Sequence, residues 1–600
     1  MSEVFYKIYD LLDTRERRQF RMLVVMMIVM GLFNMLGVAS VLPFLAVISN
    51  PEAVENNRAL SWLYDVSGVT QMSDFLILLG VLVFVFMLLT TLIRVGTFYA
   101  MTRFIKMRTL SLATALMTHY LGHSYVWFLS RHTSDLGKTI LSEVSQVVNG
   151  PLAAAMQLLA NGVMIGFLAV FLIAMEPVAA LGAAVLFGGS YGVIFLIARQ
   201  KLTRMGKERV EANRSRFQVI QEAMGGIKAV KLMSLERSYL DRFQIPAAKV
   251  ARNEASLAII SELPRHLLEV IAFGGMILFV LWLLATREGM ITDVIPILGV
   301  YAFAAARMFP TIQQLFAAIS ALRFGGAALD SLHAELTERP TSDVIRGADA
   351  PAIPLRKSLE LDRVSFAFPG TDRPALKQLS LEITANTTVG IVGSTGAGKT
   401  TAVDLILGLL HPQSGELKVD GQVIDEHNVR AWQKSVGYVP QDIFLVDDSV
   451  AANIAFGALR SEIDMDKVEA AAKVAELHDF VMEQLPSGYG TEVGERGTRL
   501  SGGQRQRIGI ARAIYNNPDV LIFDEATSAL DNLTERAVMD AVRKLGKTKT
   551  VIMIAHRLST VRNCDMIFLL EHGRLVAADR YEMLVKKNDR FRALHEATEG

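Results

Sequence analysis

The sequence predicts an all-α membrane domain of six helices fused to a soluble α/β domain built on a phosphate-binding loop. Three observations predict it: long uncharged apolar runs before residue 200, two weaker runs near residue 300, and ordered glycine-rich and acidic motifs confined to the C-terminal part. At 600 residues the chain is long for a single core, and its 51% hydrophobic content with a mean hydropathy of +0.34 is high for a soluble protein. A net charge of +1 provides no basic field, so nucleic acid is not expected as a partner. The one cysteine, Cys564, cannot form an internal disulfide and has no partner at metal-ligand spacing, so it reads as a bland thiol.

Taken in order, Asp10, Asp13 and Glu16 interrupt the leader, and the apolar run that follows is too long for a cleavable signal, so it reads as a retained anchor. Run 22–48 is uncharged, and at about 1.5 Å per residue it can cross a hydrocarbon layer of roughly 30 Å. Runs 75–93, 151–175 and 178–198 are of the same kind. Runs 263–285 and 291–310 are weaker because Arg265, Glu269 and Arg307 intrude. Segment 50–74 carries Trp62, Leu63 and Tyr64 and reads equally as a short interfacial helix or an ordinary loop.

Links alternate in length. Glu176-Pro177 and 286–293 are short, whereas 94–150 and 199–262 are long, charged and helical in period, as spans continuing out of the membrane would be. Lys7, Arg15, Arg17, Arg18 and Arg21 before the first span, and Arg199, Lys201, Arg204, Lys207 and Arg209 after the fourth, place both sites in the cytoplasm. The soluble domain then lies in the cytoplasm of an integral, multi-pass protein of a bacterial inner-membrane type. Periodicity fails in a segment containing Pro340, Gly347 and Pro351, giving a membrane domain over 1–335, a linker over 336–357 and a nucleotide-binding domain over 358–600. Short β-rich runs at 359–361, 364–366, 389–392, 435–439, 520–523 and 550–554 alternate with helical stretches.

Gly393, Ser394, Thr395, Gly396, Ala397, Gly398, Lys399 and Thr400, followed by Thr401, stand between an apolar strand and a helix, the context of a P-loop. Glycines let backbone N–H groups close on phosphate, Lys399 supplies a point charge, and the Thr400 hydroxyl can ligate Mg²⁺. Asp524 ends the 520–523 strand where a carboxylate can hold Mg²⁺, and Glu525 follows on another face as a candidate general base.

Leu500, Ser501, Gly502, Gly503 and Gln504, followed by Arg505, Gln506 and Arg507, resemble the signature of the ATP-binding cassette family. The resemblance implies a cytoplasmic P-loop NTPase (ABC ATPase) domain that hydrolyses ATP with Mg²⁺. It implies a Q-loop at Gln441, contributing to catalysis and to the metal, a D-loop at Ser528, Ala529, Leu530 and Asp531, and a switch histidine at His556. Phe368 matches the aromatic that stacks on adenine, with phenylalanine where the family commonly has tyrosine. Residues 491–497 resemble an exporter-type loop, and segments near 124–135 and 233–241 resemble coupling helices. In this family the signature of one cassette completes the site of another, so a dimer is implied. Intact Glu525, His556 and signature favour a homodimer over a heterodimer with a related half-transporter.

Arg94, Arg265 and Arg307 are candidate substrate contacts, since intramembrane arginine faces a cavity or a partner and guanidinium suits phosphate. The plainer reading has Arg94 and Arg265 snorkelling to the interface with Glu269 neutralising Arg265. The run Val41, Leu42, Pro43, Phe44, the extended first external segment and the three arginines resemble flippases of lipid-linked oligosaccharides. A lipid A flippase and a multidrug or peptide exporter are the alternatives. No large cytosolic segment precedes Met22, which disfavours a peptide exporter carrying its own protease.

Overall fold

The computed structural model describes residues 2–49, 51, 53–131, 133–175, 177–286, 291–338, 350–371, 373–525, 535, 540, 548–555 and 557–599. It divides into two compact units, Met1–Leu121 with Arg131–Arg339, and Gly122–Ser130 with Pro340–Gly600.

The first unit is helical throughout its ordered elements. Its long helices cover Thr14–Ala39 continued by Val41–Ser49, Met72–Leu121, Ala153–Met175, Pro177–Gly225, Glu236–Thr286 and Ile291–Thr337. The six predicted runs fall on these helices, run 22–48 crossing Ser40 and run 151–175 starting two residues earlier, in a π-helical turn over Val148–Leu152. Thr14–Ser49, Met72–Leu121, Asp135–Met175 and Ala302–Thr337 contain windows long and apolar enough to cross a membrane. At about 1.5 Å per residue the 50-residue Met72–Leu121 helix is far longer than a hydrocarbon layer, so its charged second half continues into water, as the periodicity of 94–150 predicts.

Two details depart from the expected spans. The first helix is interrupted at Ser40, because Pro43 removes the N–H that would bond Ala39 and its ring crowds that carbonyl. Segment 50–74 is helical over Ala53–Asn56 and Arg58–Ser67, the latter started by the Asn57 side chain and ended by Gly68 at φ +65°. Leu60 packs with Val47, Phe75 and Leu79, while Trp62 stays 64% exposed.

Helix contacts in this unit are tightest at small residues. A Cβ on Gly206 would strike the Phe324 carbonyl, and one on Gly325 would lie 2.5 Å from Pro151 Cδ. Beside this junction Glu143 and Arg209, both nearly inaccessible, pair at 3.2 Å, and Asn213 donates to Glu143 at 2.8 Å. A second buried pair joins Arg108 to Glu16, which also completes the cap of the Thr14–Ala39 helix with Asp13.

In the second unit, β1 (Ser358–Phe366), β2 (Leu376–Thr384), β4 (Ser414–Val419) and β5 (Gln422–Val423) form an antiparallel sheet in the order β2-β1-β4-β5. The second sheet runs β10-β9-β3-β8-β7-β6, from β3 (Thr388–Val392), β6 (Val436–Val439), β7 (Val520–Asp524), β8 (Thr550–Ile554), β9 (Met566–Glu571) and β10 (Arg574–Asp579). Its inner strands are parallel and buried on both faces, which is why they read as unbroken apolar runs.

The two suspected coupling segments turn out differently from each other. Helix Tyr125–Leu129 sits within 124–135 and groups with the soluble unit, Val126 packing into its core. The expectation at 233–241 is corrected: the short helix is earlier, at Ile227–Leu232. Ser234 then turns the chain at φ +53°, a left-handed conformation that ends helical periodicity, and Glu236 already belongs to the next long helix.

Candidate nucleotide site and membrane arginines

The site begins where β3 ends. Gly393, Gly396 and Gly398 take φ values of +155°, +79° and +97°. A Cβ at Gly393 would collide with the Leu570 carbonyl, and at Gly398 it would lie 2.8 Å from both the Ala375 carbonyl and Leu376 Cδ2. Only glycine lets the loop 393–398 turn this closely into helix Lys399–Ile406, whose first N–H groups form an anion-binding end. Ser394, Thr395, Gly396 and Thr400 are exposed on the loop side, whereas Ala397 and Thr401 are buried. Lys399 is buried too, its Nζ donating to the carbonyls of Gly393 at 2.7 Å and Ser394 at 3.2 Å. Burial pushes its pKa below the ordinary lysine value, while Glu525 and Asp524 act in the opposite direction.

Asp524 closes β7, two sheet positions from β3, and accepts a hydrogen bond from the Tyr438 hydroxyl at 3.3 Å. Glu525 follows at φ +48°, a conformation that costs a non-glycine residue about 1–3 kcal/mol and swings its side chain off the strand. Its neighbours hold it there. The Glu525 N–H donates to Ile554 O at 3.2 Å, Gln506 donates to the Glu525 carbonyl at 3.4 Å, and Gln441 Nε2 donates to the Glu525 carboxylate at 2.9 Å.

Ser501 caps helix Gly502–Ile514. It accepts from the Gln504 N–H at 3.2 Å while its own N–H donates to Gln504 Oε1 at 2.7 Å, leaving Gly502 and Gly503 in the first turn. Phe368 is half-buried, edge-on to Phe366 at 5.1 Å, against the apolar cluster that also holds Ala397 of the loop. In 491–497, Glu492 bridges to Ser449, and Gly494 and Gly497 take positive φ. Asp531 and His556 lie outside the described residues.

The three arginines separate. Arg265 pairs with Glu269 at 3.4 Å, in keeping with the plainer reading. Arg94 is exposed. Arg307 is half-buried, its guanidinium over the Phe303 ring at 5.7 Å, and it has no ion pair among the described residues. Two helical turns further on, Gln314 bonds Asn161 at 3.3 Å, and its neighbour Gln313 bonds Glu262 at 2.9 Å. Sequence reasoning missed this polar level. Its signal was four amide or acid side chains, Asn161, Glu262, Gln313 and Gln314, in or beside the apolar runs of three helices.

A cradle of this geometry, beside a strand-end acid pair and on one chain with a helical membrane unit, defines the class: a membrane protein driven by a P-loop ATPase. The matched families make it specific. Residues 22–287 match the ABC transporter transmembrane region and residues 376–528 the ABC transporter family, and the chain belongs to the ABC transporters. It is similar to the ATP-dependent lipid A-core flippases of Cupriavidus metallidurans, 32% identical over 79% of each chain, and of Saccharophagus degradans, 33% identical over 79% of each. That of Chromobacterium violaceum is 35% identical over 66% of this chain and 67% of its own. Among solved structures, a bacterial Atm1-family ABC exporter with ATP bound superposes with a TM-score of 0.79 at 26% identity, over 98% of this chain and 99% of that one. The chain is an ATP-driven ABC exporter, integral to the bacterial inner membrane with its ATPase domain in the cytoplasm.

Proposed function

We propose that this exporter moves a phosphate-bearing lipid from the inner to the outer leaflet, with a lipid of the lipid A class as the favoured substrate. The observation that carries this reading is Arg307, a half-buried guanidinium in a membrane helix with no ion pair among the described residues. Arginine recognises phosphate through planar paired hydrogen bonds, and an intramembrane charge is retained where it has a task. The names of the relatives above support the lipid A class over the oligosaccharide lipid expected from sequence. One feature favours that second reading: the Arg58–Ser67 helix leaves Trp62 and Val66 exposed, an apolar surface suited to a long lipid tail.

In this reading the transporter is a homodimer. The loop 393–400 cradles the phosphates of ATP, Phe368 stacks on adenine, and residues 501–504 of a second copy close the site. The donor set fits Mg²⁺, being hard oxygen throughout: the Asp524 carboxylate, the Thr400 hydroxyl and the amide oxygen of Gln441, whose nitrogen already serves Glu525. Mg²⁺ would neutralise phosphate charge there. Glu525, held by Gln441 and its strained backbone, takes the proton of the attacking water, and Lys399 moves from loop carbonyls to phosphate oxygens. Asp531 and His556 complete the site by resemblance.

The test is ATP-dependent flipping in proteoliposomes of fluorescent lipid A, a fluorescent pyrophosphate-linked polyprenyl glycan and a cationic dye. Movement of lipid A in preference to the other two is expected. Movement of the dye alone removes the lipid reading, and movement of the glycan alone selects the second one.

A further inference from the structure

β6 and β7 run parallel, with Tyr438 opposite Ile522 and Val439 opposite Phe523. Side chains two apart on a strand share a face, so Asp524 projects on the face of Ile522, which is also that of Tyr438. The diagonal between opposite strands is within reach of a long aromatic side chain, and the Tyr438 hydroxyl spans it to reach Asp524 Oδ2 at 3.3 Å. Tyr438 thus touches the strand-end acid from the neighbouring strand β6.

The same patch receives two further elements. Helix Lys399–Ile406 supplies Asp404, one turn after Thr400, whose carboxyl feels the charge of Asp524. Helix Tyr125–Leu129 supplies Tyr125, on which Asp404 acts, and Val126, which packs against the apolar cluster that Tyr438 and Val436 join. Tyr438 in turn lies in the fields of Asp524, Asp404 and Tyr125. The strand-end acid is thus joined to Tyr438 by a hydrogen bond, and the loop helix and the 122–130 segment by the apolar cluster that Tyr438 packs against.

We propose that Tyr438 is a positioning residue that ties the orientation of the Asp524 carboxylate to helix Tyr125–Leu129, so that loading of the ATP site is read where the membrane chain enters the ATPase unit. The inference rests on the assignment of Asp524 to Mg²⁺. A ring without its hydroxyl would keep the packing and lose the tie, which separates positioning from filling space.

The experiment is hydrogen–deuterium exchange of the full-length transporter with a non-hydrolysable ATP analogue, with Mg²⁺ and with EDTA. It is run on the wild type and on Tyr438→Phe, alongside Mn²⁺ binding followed by electron paramagnetic resonance. In the wild type, peptides over 393–400 and 122–130 should both gain protection, the second only with Mg²⁺. Tyr438→Phe should keep protection at 393–400, lose the Mg²⁺-dependent protection at 122–130, and bind Mn²⁺ several-fold more weakly. Unchanged Mg²⁺-dependent protection in the variant overturns the proposal, as does joint loss at both segments, which would make Tyr438 part of the fold. Failure of the analogue to protect 393–400 in the wild type would instead strike the nucleotide assignment itself.

Discussion

Gln441 and Glu525 are joined by a 2.9 Å hydrogen bond between the side chain of a loop after β6 and that of the residue after β7. The bond orients the carboxylate through the amide nitrogen and leaves the amide oxygen of Gln441 outside it. On the roles proposed above, proton removal and metal holding would fall to different atoms of one connected pair. Glu525→Gln keeps the shape and removes the basicity, so ATP binding should persist while turnover falls by about 10²–10⁴-fold. Steady-state hydrolysis and retained labelled ATP on the purified variant check this; near-normal hydrolysis would remove Glu525 as the base.

Arg307 should matter to cargo and little to the motor. Arg307→Ala is expected to cut lipid flipping in proteoliposomes by about tenfold or more, the scale of a lost charge-assisted contact, while basal ATPase changes by less than about twofold. Arg307→Lys should recover only part of the flipping, because an ammonium does not bond phosphate through a planar fork. Parallel loss of both activities would point to folding.

The Glu143 and Arg209 pair is buried, with Asn213 donating to the same carboxylate. Removing one partner strands the other charge, which typically costs about 3–5 kcal/mol. Glu143→Ala should therefore lower the thermal transition in detergent sharply, and Glu143→Leu combined with Arg209→Met should restore much of it. Light-scattering or tryptophan melting curves decide, and an unchanged melting point in the single variant would contradict the assignment.

Asp404 gives the soluble unit a pH dependence. Burial first, and Asp524 second, raise its carboxyl pKa to about 6. A raised acid binds its proton more tightly folded than unfolded, where the value is about 3.9, so this contribution is full below the unfolded value and lost as pH rises through about 6. Asp404→Asn avoids that loss. With solvent screening leaving about 1 kcal/mol, its melting temperature near neutral pH should rise by ~2–4 °C and show less change on acidification than the wild type.

The phosphate loop and Asp524-Glu525 were legible because their spacing is dictated by phosphate and metal geometry, which leaves few substitutes. Strands β3, β6, β7 and β8 were legible as apolar runs. β2 was missed because Lys377, Gln378, Ser380 and Glu382 interleave its buried positions, and β10 because Arg574, Val576 and Ala578 lie along an edge. The four membrane-crossing windows found among the described residues could be read from hydropathy. The break at Ser40 could have been read from Pro43, but the position of the turn before Glu236 could not, since neither Gly nor Pro stands between Ile227 and Glu236 to mark it. The bond from Tyr438 to Asp524 was invisible because it depends on the register of two strands far apart in sequence.

Gly206 and Gly325 leave no clearance where the Ile291–Thr337 helix meets its two neighbours, Phe324 being pressed by one and Gly325 by the other at consecutive residues. Helices seated this closely cannot slide past each other without climbing over a backbone carbonyl or a proline ring, yet they can still rotate about the point of contact. The junction therefore sets a stop on translation at that level of the helical unit.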